Sequence, residues 1–423
     1  MNDVLRTILQ EWQVKKVPEV IGRDFKLDVS KNRVNNATVL TGFRRVGKTY
    51  IMFEAINGLL KSFSRKEVVY INFEDERLLN PTAEILTNLI PEMISMWGIK
   101  PEYLFLDELQ VVDNWSKWVR RMLDNEDIQI FITGSSSKMS SSELPTELRG
   151  RAWEKKIYPL SFDEFLKFKN VESAEKYITP NEQANYRFLF EEFLKFGGLP
   201  AVVLTPEENK MELLQSYFQT VVQREIMERN KIENELAMKT LLKLLFNSTF
   251  ITISKLHNSL KSMGIAVGKT TVDNYLSYIE NSYFMDQLYI FNASMVNQLQ
   301  YPRKIYFVDT GLMTALSTNF SNNRGRLLEN LIYTKLKKSG DRIAYYRDET
   351  DNEVDFLVWK DEKIQSMYQV CVDLTNEETR TREIKSLIRA GKKFDCTDLN
   401  LVTIIKPNNL ILPEGIKVVV NPN

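Results

Sequence analysis

Apolar residues follow two alternating rhythms along the first 160 positions of this chain. Short runs rich in apolar, β-branched and aromatic residues occupy positions 37–41, 67–73, 103–106 and 128–133, and a fifth, more polar stretch covers 154–158. Between them the apolar positions recur at helical spacing, as in 50–60. Buried strands separated by helices predict an α/β fold, a parallel sheet with helices on both faces. Ligands of such a sheet bind at the carboxyl ends of its strands. An amphipathic helix leads the chain, with Val4, Leu5, Ile8, Leu9 and Trp12 on one side, and a strand-like piece at 24–29 precedes the first strand of the sheet.

Beyond residue 160 the rhythm changes. Residues 161–235 read as helices around 162–166, 188–196 and 211–227, broken by Gly197-Gly198-Leu199-Pro200. They form either a helical lid over a ligand or a spacer. Residues 236–315 fit a winged helix: helices at 236–246, 254–263 and 269–279, then wing strands at 284–291 and 304–308. The third helix turns Val272, Tyr275, Leu276 and Ile279 inward and presents Lys269, Thr270, Asn274 and Tyr278 outward. Its stretch is mildly basic, with Lys243, Lys255, Lys261, Lys269, Arg303 and Lys304 against Asp273, Glu280 and Asp286. Such a helix can enter a DNA major groove through Lys269, Thr270 and Asn274. Packing alone is the equal alternative, and Asp273 counts against DNA. A linker at 318–325 leads to a small α/β unit with helices at 326–338 and 381–390 and strands at 343–347, 353–358, 367–372 and 399–405. The expected domains are therefore 1–160, 161–235, 236–315 and 316–423.

Composition narrows the setting. A chain of 423 residues suggests about three domains. Lysine plus arginine equals aspartate plus glutamate at 56 each, which excludes a generally basic nucleic-acid binder and leaves only a local basic face. Two cysteines, Cys371 and Cys396, are too few for a disulfide framework, and a single histidine, His257, excludes a histidine-rich metal site. No run of about 18 apolar residues and no apolar signal core is present, so a cytoplasmic protein without a membrane span is expected.

The chemistry concentrates at Gly42-Phe43-Arg44-Arg45-Val46-Gly47-Lys48-Thr49, the phosphate-binding loop pattern between a strand and a helix. The glycines let backbone N–H groups approach phosphate oxygens. Lys48 supplies charge to the outer phosphates, and Thr49 offers a hydroxyl to Mg²⁺. Arg44, Arg45, Val46 and Tyr50 complete the expected nucleotide contacts, with the arginines an extra positive feature. Arg23 lies either near the base or on the surface. The third run ends in Asp107-Glu108. After a phosphate loop this pair reads as a Mg²⁺-shell carboxylate and a water-polarising base. The fourth run ends in Thr133 and a serine run, where Ser135 is the candidate for touching the γ-phosphate or the attacking water. Arg149 and Arg151 are candidates for stabilising transition-state charge, in cis or from a neighbouring subunit of an oligomer.

These motifs, with Pro159-Leu160-Ser161-Phe162, Phe196-Gly197-Gly198-Leu199-Pro200 and the strand bearing Asp355, resemble a family of uncharacterised prokaryotic AAA+-type ATPases with a C-terminal restriction-endonuclease-like domain. The resemblance spans nearly the whole chain. It implies an additional-strand P-loop core, ATP and Mg²⁺ as ligands, and a nuclease-like core at 316–423 holding an early Glu, an Asp and a Glu-x-Lys strand. Glu329 and Asp355 match the first two, but the third position reads Gln369-Val370-Cys371. Gln is a poor ligand for a hard cation and Cys lacks the lysine charge, so cleavage activity is not expected. Asp373 is the nearest compensating carboxylate. The resulting expectation is an ATPase whose cycle rearranges its C-terminal domains. The alternatives are an ATP-gated DNA-directed effector and a non-catalytic DNA-binding switch.

Overall fold

A computed structural model describes residues 2–31, 34–134, 144–171, 179–316 and 324–420, apart from 408, 409, 411 and 414. Two compact units divide the chain, Met1–Tyr158 and Pro159–Asn423.

In the first unit the five runs become β1 (Ala37–Thr41), β2 (Val68–Asn72), β3 (Tyr103–Asp107), β4 (Gln129–Thr133) and β5 (Ala152–Lys156). All pairs are parallel and the order is β2-β3-β4-β1-β5. The central strands β1, β3 and β4 are buried along their whole length, as expected of a sheet covered on both faces. The edge strand β5 is only half-buried at alternate residues, which explains its polar sequence. The leading helix, Asn2–Val14, buries Leu5, Ile8, Leu9 and Trp12, and the Trp12 indole donates to the Val68 carbonyl at 2.9 Å. The piece at 24–29 forms no strand. Its alternate residues Phe25, Leu27 and Val29 are half-buried, but Asp28 turns the chain by accepting from the Ser30 N–H at 2.9 Å, so pairing stops there.

The second unit begins with helices Phe162–Phe168, Pro180–Phe196, Pro200–Leu204 and Glu207–Thr220, the last running on as a widened π-helical segment, Val221–Glu228. Ser161 with Glu164, and Thr179 with Glu182, form capping boxes that start the first two. Helices Glu235–Phe246, Ile253–Ser262 and Lys269–Asn281 follow, with a small antiparallel sheet of β6 (Phe250–Ile251), β7 (Met285–Leu288) and β8 (Arg303–Phe307) in the order β6-β8-β7. A helix the sequence pattern did not reveal, Met295–Gln300, lies between β7 and β8; it buries no residue, so no periodic apolar face marks it.

After the Arg324–Lys338 helix come β9 (Arg342–Arg347), β10 (Glu353–Lys360) and β11 (Lys363–Val370), then the Glu377–Phe394 helix, β12 (Leu399–Thr403) and β13 (Ile416–Val420). Arg324 and Gly325, expected in a linker, belong to the helix; the rest of 318–325 lies outside the described residues. The sheet order is β13-β12-β11-β10-β9, antiparallel through β11 and parallel beyond it. The expected closing strand is thus not the last: β13 pairs outside β12. Residues from both sheets of this unit share one apolar cluster, with Leu288, Ile290 and Tyr306 packed among Ile332, Tyr333, Tyr345, Phe356 and Val402.

Three separated motifs meet inside this unit. The Leu160 N–H donates to the Gly198 carbonyl at 2.8 Å, and the Gly198 N–H donates to Asp309 at 2.7 Å. Gly197 has φ 75°, and an added Cβ there would lie 1.9 Å from the Asp309 carboxylate. The Pro159–Phe162 and Phe196–Pro200 segments are therefore packing devices, and only glycine fits at 197.

Candidate active site

The phosphate loop is built by backbone strain that glycine and a few tolerated residues relieve. Gly42 has φ 130° at the end of β1, and an added Cβ would lie 2.3 Å from the Ile157 carbonyl oxygen. Arg45 (φ 71°) and Gly47 (φ 95°) are left-handed, and the helix starts at Lys48. Such turns direct successive N–H groups into one concavity at a helix N-terminus, which suits an anion. The Lys48 ammonium donates to the Gly42 and Phe43 carbonyls at 3.0 and 3.1 Å. Arg23 is buried and clamps the loop from behind, donating to the carbonyls of Val46 at 2.9 Å and Tyr158 at 3.0 Å. It braces the loop, and its burial replaces the surface reading. Arg44 reaches Glu74 at 3.3 Å, Arg45 and Tyr50 are exposed, and Val46 is buried.

Opposite the loop, Asp107 ends β3 in full burial. Three hydroxyls donate to its carboxylate: Thr49 at 2.9 Å, Tyr70 at 2.8 Å, and Thr133 in a short contact. Among the described residues no cation pairs with it. Burial pushes its carboxyl upward, partly offset by these donors. Burial and Asp107 together push the Tyr70 phenol well above its ordinary value. Glu108 is held in the left-handed region, φ 53°. Its N–H donates to the Thr133 hydroxyl at 2.9 Å, and its carboxylate accepts from the Gln110 amide at 2.5 Å. Thr133 thus links both acidic residues from the end of β4.

Sequence reasoning expected the polar contact of this strand at Ser135, which lies outside the described residues. It also overlooked Tyr70 and Gln110. Tyr70 sits in an apolar run and reads as core; only its hydroxyl at a strand end betrays it. Gln110 sits just beyond Asp107-Glu108, a spacing that could have been weighed.

Arg149 is exposed with φ 50°, and Arg151 pairs with Asp124. The Arg151 carbonyl accepts from the N–H of Ala37, the first residue of β1. Because β5 runs parallel to β1, both arginines precede the amino end of that strand pair, while the phosphate loop follows the carboxyl end. Five residues of strand separate those ends, about 13–17 Å.

In the second unit, Lys269, Thr270 and Asn274 are exposed on one helix whose inward face is Val272, Tyr275, Leu276 and Ile279, as expected. Two of the six basic positions counted in that stretch are not at the surface: Arg303 and Lys304 are buried. Glu329, Asp355 and Gln369 come together. Gln369 accepts from the Asp355 N–H at 3.3 Å and donates to Glu383 at 2.6 Å. Cys371 stands apart, its thiol on the Asp373 carbonyl, and Asp373 caps the Thr375 N–H at 2.7 Å. Among the described residues no group of three or more His, Cys, Asp or Glu is arranged to hold a metal ion, and no helix is long and apolar enough to cross a membrane.

Comparison with known proteins fits this geometry. Residues 34–166 match an AAA domain, 187–323 a domain of unknown function (DUF8612) and 324–419 a second domain of unknown function (DUF4143). Uncharacterized protein MJ1544 of Methanocaldococcus jannaschii is 38% identical over 404 residues, covering 94% of this chain and 88% of that one. The chain belongs to this uncharacterised AAA-domain family. An uncharacterized protein of Haemophilus influenzae is 28% identical over 378 residues, 87% of this chain and 92% of that protein. Among solved structures, the Aeropyrum pernix ORC1 protein in complex with DNA is 12% identical and covers 75% of this chain and 91% of that one, at a TM-score of 0.28. AMPPCP-bound DnaA from Aquifex aeolicus is 14% identical and covers 59% and 83%, also at 0.28. At that TM-score the likeness carries no argument. The AAA domain of this family implies nucleotide binding and hydrolysis.

Proposed function

We propose that the first unit binds and hydrolyses Mg·ATP, and that this cycle rearranges the elements beyond it. The hydrogen-bonded chain Thr49–Asp107–Thr133–Glu108 carries the reading. It joins the helix start of the phosphate loop to two acidic residues through two threonine hydroxyls. The donor set fits a hard cation: a hydroxyl and a buried carboxylate, already in contact and with no protein countercharge among the described residues. Thr49 and Asp107 would hold Mg²⁺, which when bound neutralises phosphate charge. Lys48 and the loop N–H groups bind the phosphates. Glu108, oriented by Gln110 and by its N–H on Thr133, polarises the attacking water. Arg149 and Arg151, set before the amino ends of β1 and β5 and so opposite the phosphate loop, act on the nucleotide of a neighbouring copy, so the working state is an oligomer.

The test is a pair of variants. Lys48→Ala abolishes nucleotide binding, whereas Glu108→Gln binds ATP and does not turn over. Parent-rate hydrolysis by Glu108→Gln sinks the assignment of the base.

A second reading, DNA binding through a winged helix at 236–315, is favoured by the exposed row Lys269, Thr270 and Asn274. It predicts salt-sensitive duplex binding that Lys269→Ala weakens; no binding at low salt removes it. For the nuclease-like sheet we propose no cleavage, and Mg²⁺- or Mn²⁺-dependent plasmid cutting lost in Asp355→Ala would overturn that.

A further inference from the structure

Lys304 lies on the middle strand of the small sheet, β8, and its side chain is sealed from solvent. Its ammonium contacts a carboxylate oxygen from each of three residues: Glu329 at 2.9 Å, Glu353 at 2.6 Å and Asp355 at 2.8 Å. The rings of Phe250 and Tyr345 wall it, with Nζ 5.4 and 5.9 Å from their centroids. The carboxylates come from elsewhere, Glu329 from the Arg324–Lys338 helix and the other two from β10. The Tyr306 hydroxyl donates to Glu329 at 2.6 Å, and the Val370 N–H donates to Asp355 at 2.9 Å.

We propose that this carboxylate centre is a cation site whose ligand is the chain's own primary ammonium, Lys304. A side-chain ammonium presents three N–H donors, and here it meets three carboxylates and two aromatic faces, a complete shell. Burial alone would strip its charge, but Asp355 and Glu329 outweigh burial and keep it charged. Burial pushes the Asp355 carboxyl up, to about 7, with Lys304 pulling it down and Glu329 adding to the rise.

The rival is a divalent-metal centre with Lys304 as helper. A divalent ion needs carboxylate oxygens at about 2.0–2.6 Å. The ammonium already lies within 2.9 Å of all three groups, in the space such an ion would fill.

Two consequences follow. The centre is closed to phosphodiester chemistry from within the chain. The small sheet is also fastened to the C-terminal sheet by charge as well as by their shared apolar cluster and the Ile290–Tyr345 bridge, so the two move together. The proposal does not depend on the nucleotide reading.

The experiment is chemical rescue of the full chain. Lys304→Ala leaves buried carboxylates unbalanced and lowers Tm by roughly 5–15 °C. Ethylammonium, which fits the vacated space, raises that Tm by several degrees; tetramethylammonium at equal ionic strength, too large and without N–H donors, does not. Adding Asp355→Asn to Lys304→Ala removes the ethylammonium response, and the parent protein shows none. Equal responses to both ammonium ions, or Lys304→Ala melting with the parent, overturns the proposal. So does Mn²⁺ binding to the parent at this centre, read by paramagnetic resonance and lost in Asp355→Asn. If Lys304→Ala does not fold, the charge-reduced Lys304→Met/Glu329→Gln/Asp355→Asn protein does; failure of that protein to fold as well would mean that packing, not charge, holds the site.

Discussion

Replacing Thr133 by Val tests the nucleotide site at its hub. The two side chains have nearly the same shape, so the change removes one hydroxyl and little volume. That hydroxyl donates to the buried Asp107 carboxylate and accepts from the Glu108 N–H at 2.9 Å. Losing a hydrogen bond to a charged group costs about 1.5–3 kcal/mol, and leaving a part-buried N–H without its acceptor costs about 1–3 kcal/mol. The sum, about 2.5–6 kcal/mol, is read by urea unfolding against the parent. Catalysis falls further than binding. Lys48 and the glycine loop are untouched, so the affinity for a fluorescent ATP analogue stays within about threefold. Glu108 loses the contact that fixes its backbone, and misplacing a base costs on the order of 10²-fold in kcat. Thr133→Ser keeps both bonds and loses a methyl group, about 0.8 kcal/mol, with kcat near the parent. Phosphate release at saturating ATP decides. A folded Thr133→Val protein turning over within about threefold of the parent, or a Thr133→Ser protein as slow as Thr133→Val, refutes the linkage.

Other outcomes follow from single contacts. Arg149→Ala slows hydrolysis at least 10³-fold, and mixing it with Glu108→Gln restores turnover, because each supplies what the other lacks across a subunit boundary; no restoration refutes action in trans. Gly197→Ala combines a left-handed backbone with a Cβ 1.9 Å from Asp309 and destabilises the second unit by roughly 2–5 kcal/mol in chemical unfolding; parent stability would contradict the packing role. Burial holds the Asp309 carboxyl up to about 6 from 3.8, against three backbone N–H donors. Its proton is bound more tightly in the fold, so its contribution is full below pH about 4 and lost as pH rises through 6, roughly 3 kcal/mol in all. Asn at 309 has no such proton, and the stability difference between parent and Asp309→Asn shrinks by that amount from pH 4 to pH 7; a constant difference refutes the shift.

The nucleotide half was legible because its rules are local. A glycine loop between a strand and a helix, and two acids at a strand end, announce themselves by spacing, and β1, β3 and β4 are buried enough to stand out as apolar runs. What stayed hidden depends on side chains reaching across the sheet. Tyr70 is one of five residues of β2 and differs from core only in where its hydroxyl ends, on Asp107. Arg23 has no motif; its task, clamping the loop through Val46 and Tyr158, joins residues 23 and 135 positions away. The short edge strand β13 is a β-branched run, Ile416, Val418, Val419 and Val420 around Lys417, whose signal was there to be weighed; only its pairing outside β12 needed the structure. The pair Arg149 and Arg151 is marked in the sequence by proximity to the fourth strand, but the strand direction that sets both at the end opposite the phosphate loop comes only from pairing.

Charge shows the limit most sharply. Six basic positions at 243–304 read as a faint basic face, yet the structure turns Arg303 and Lys304 inward. Lys304 meets carboxylates 25, 49 and 51 residues further along, on elements whose own pattern suggested a metal centre lacking its lysine. The two readings correct each other: a lysine is removed from the surface that would face DNA and added to the centre that would hold a metal. A charge at the surface is worth little to stability, whereas one buried among three carboxylates cannot be removed without leaving them uncompensated. A sequence pattern counts both as one positive residue. Only the partner tells which is free to bind something else, and for Lys304 the partner is already inside the chain.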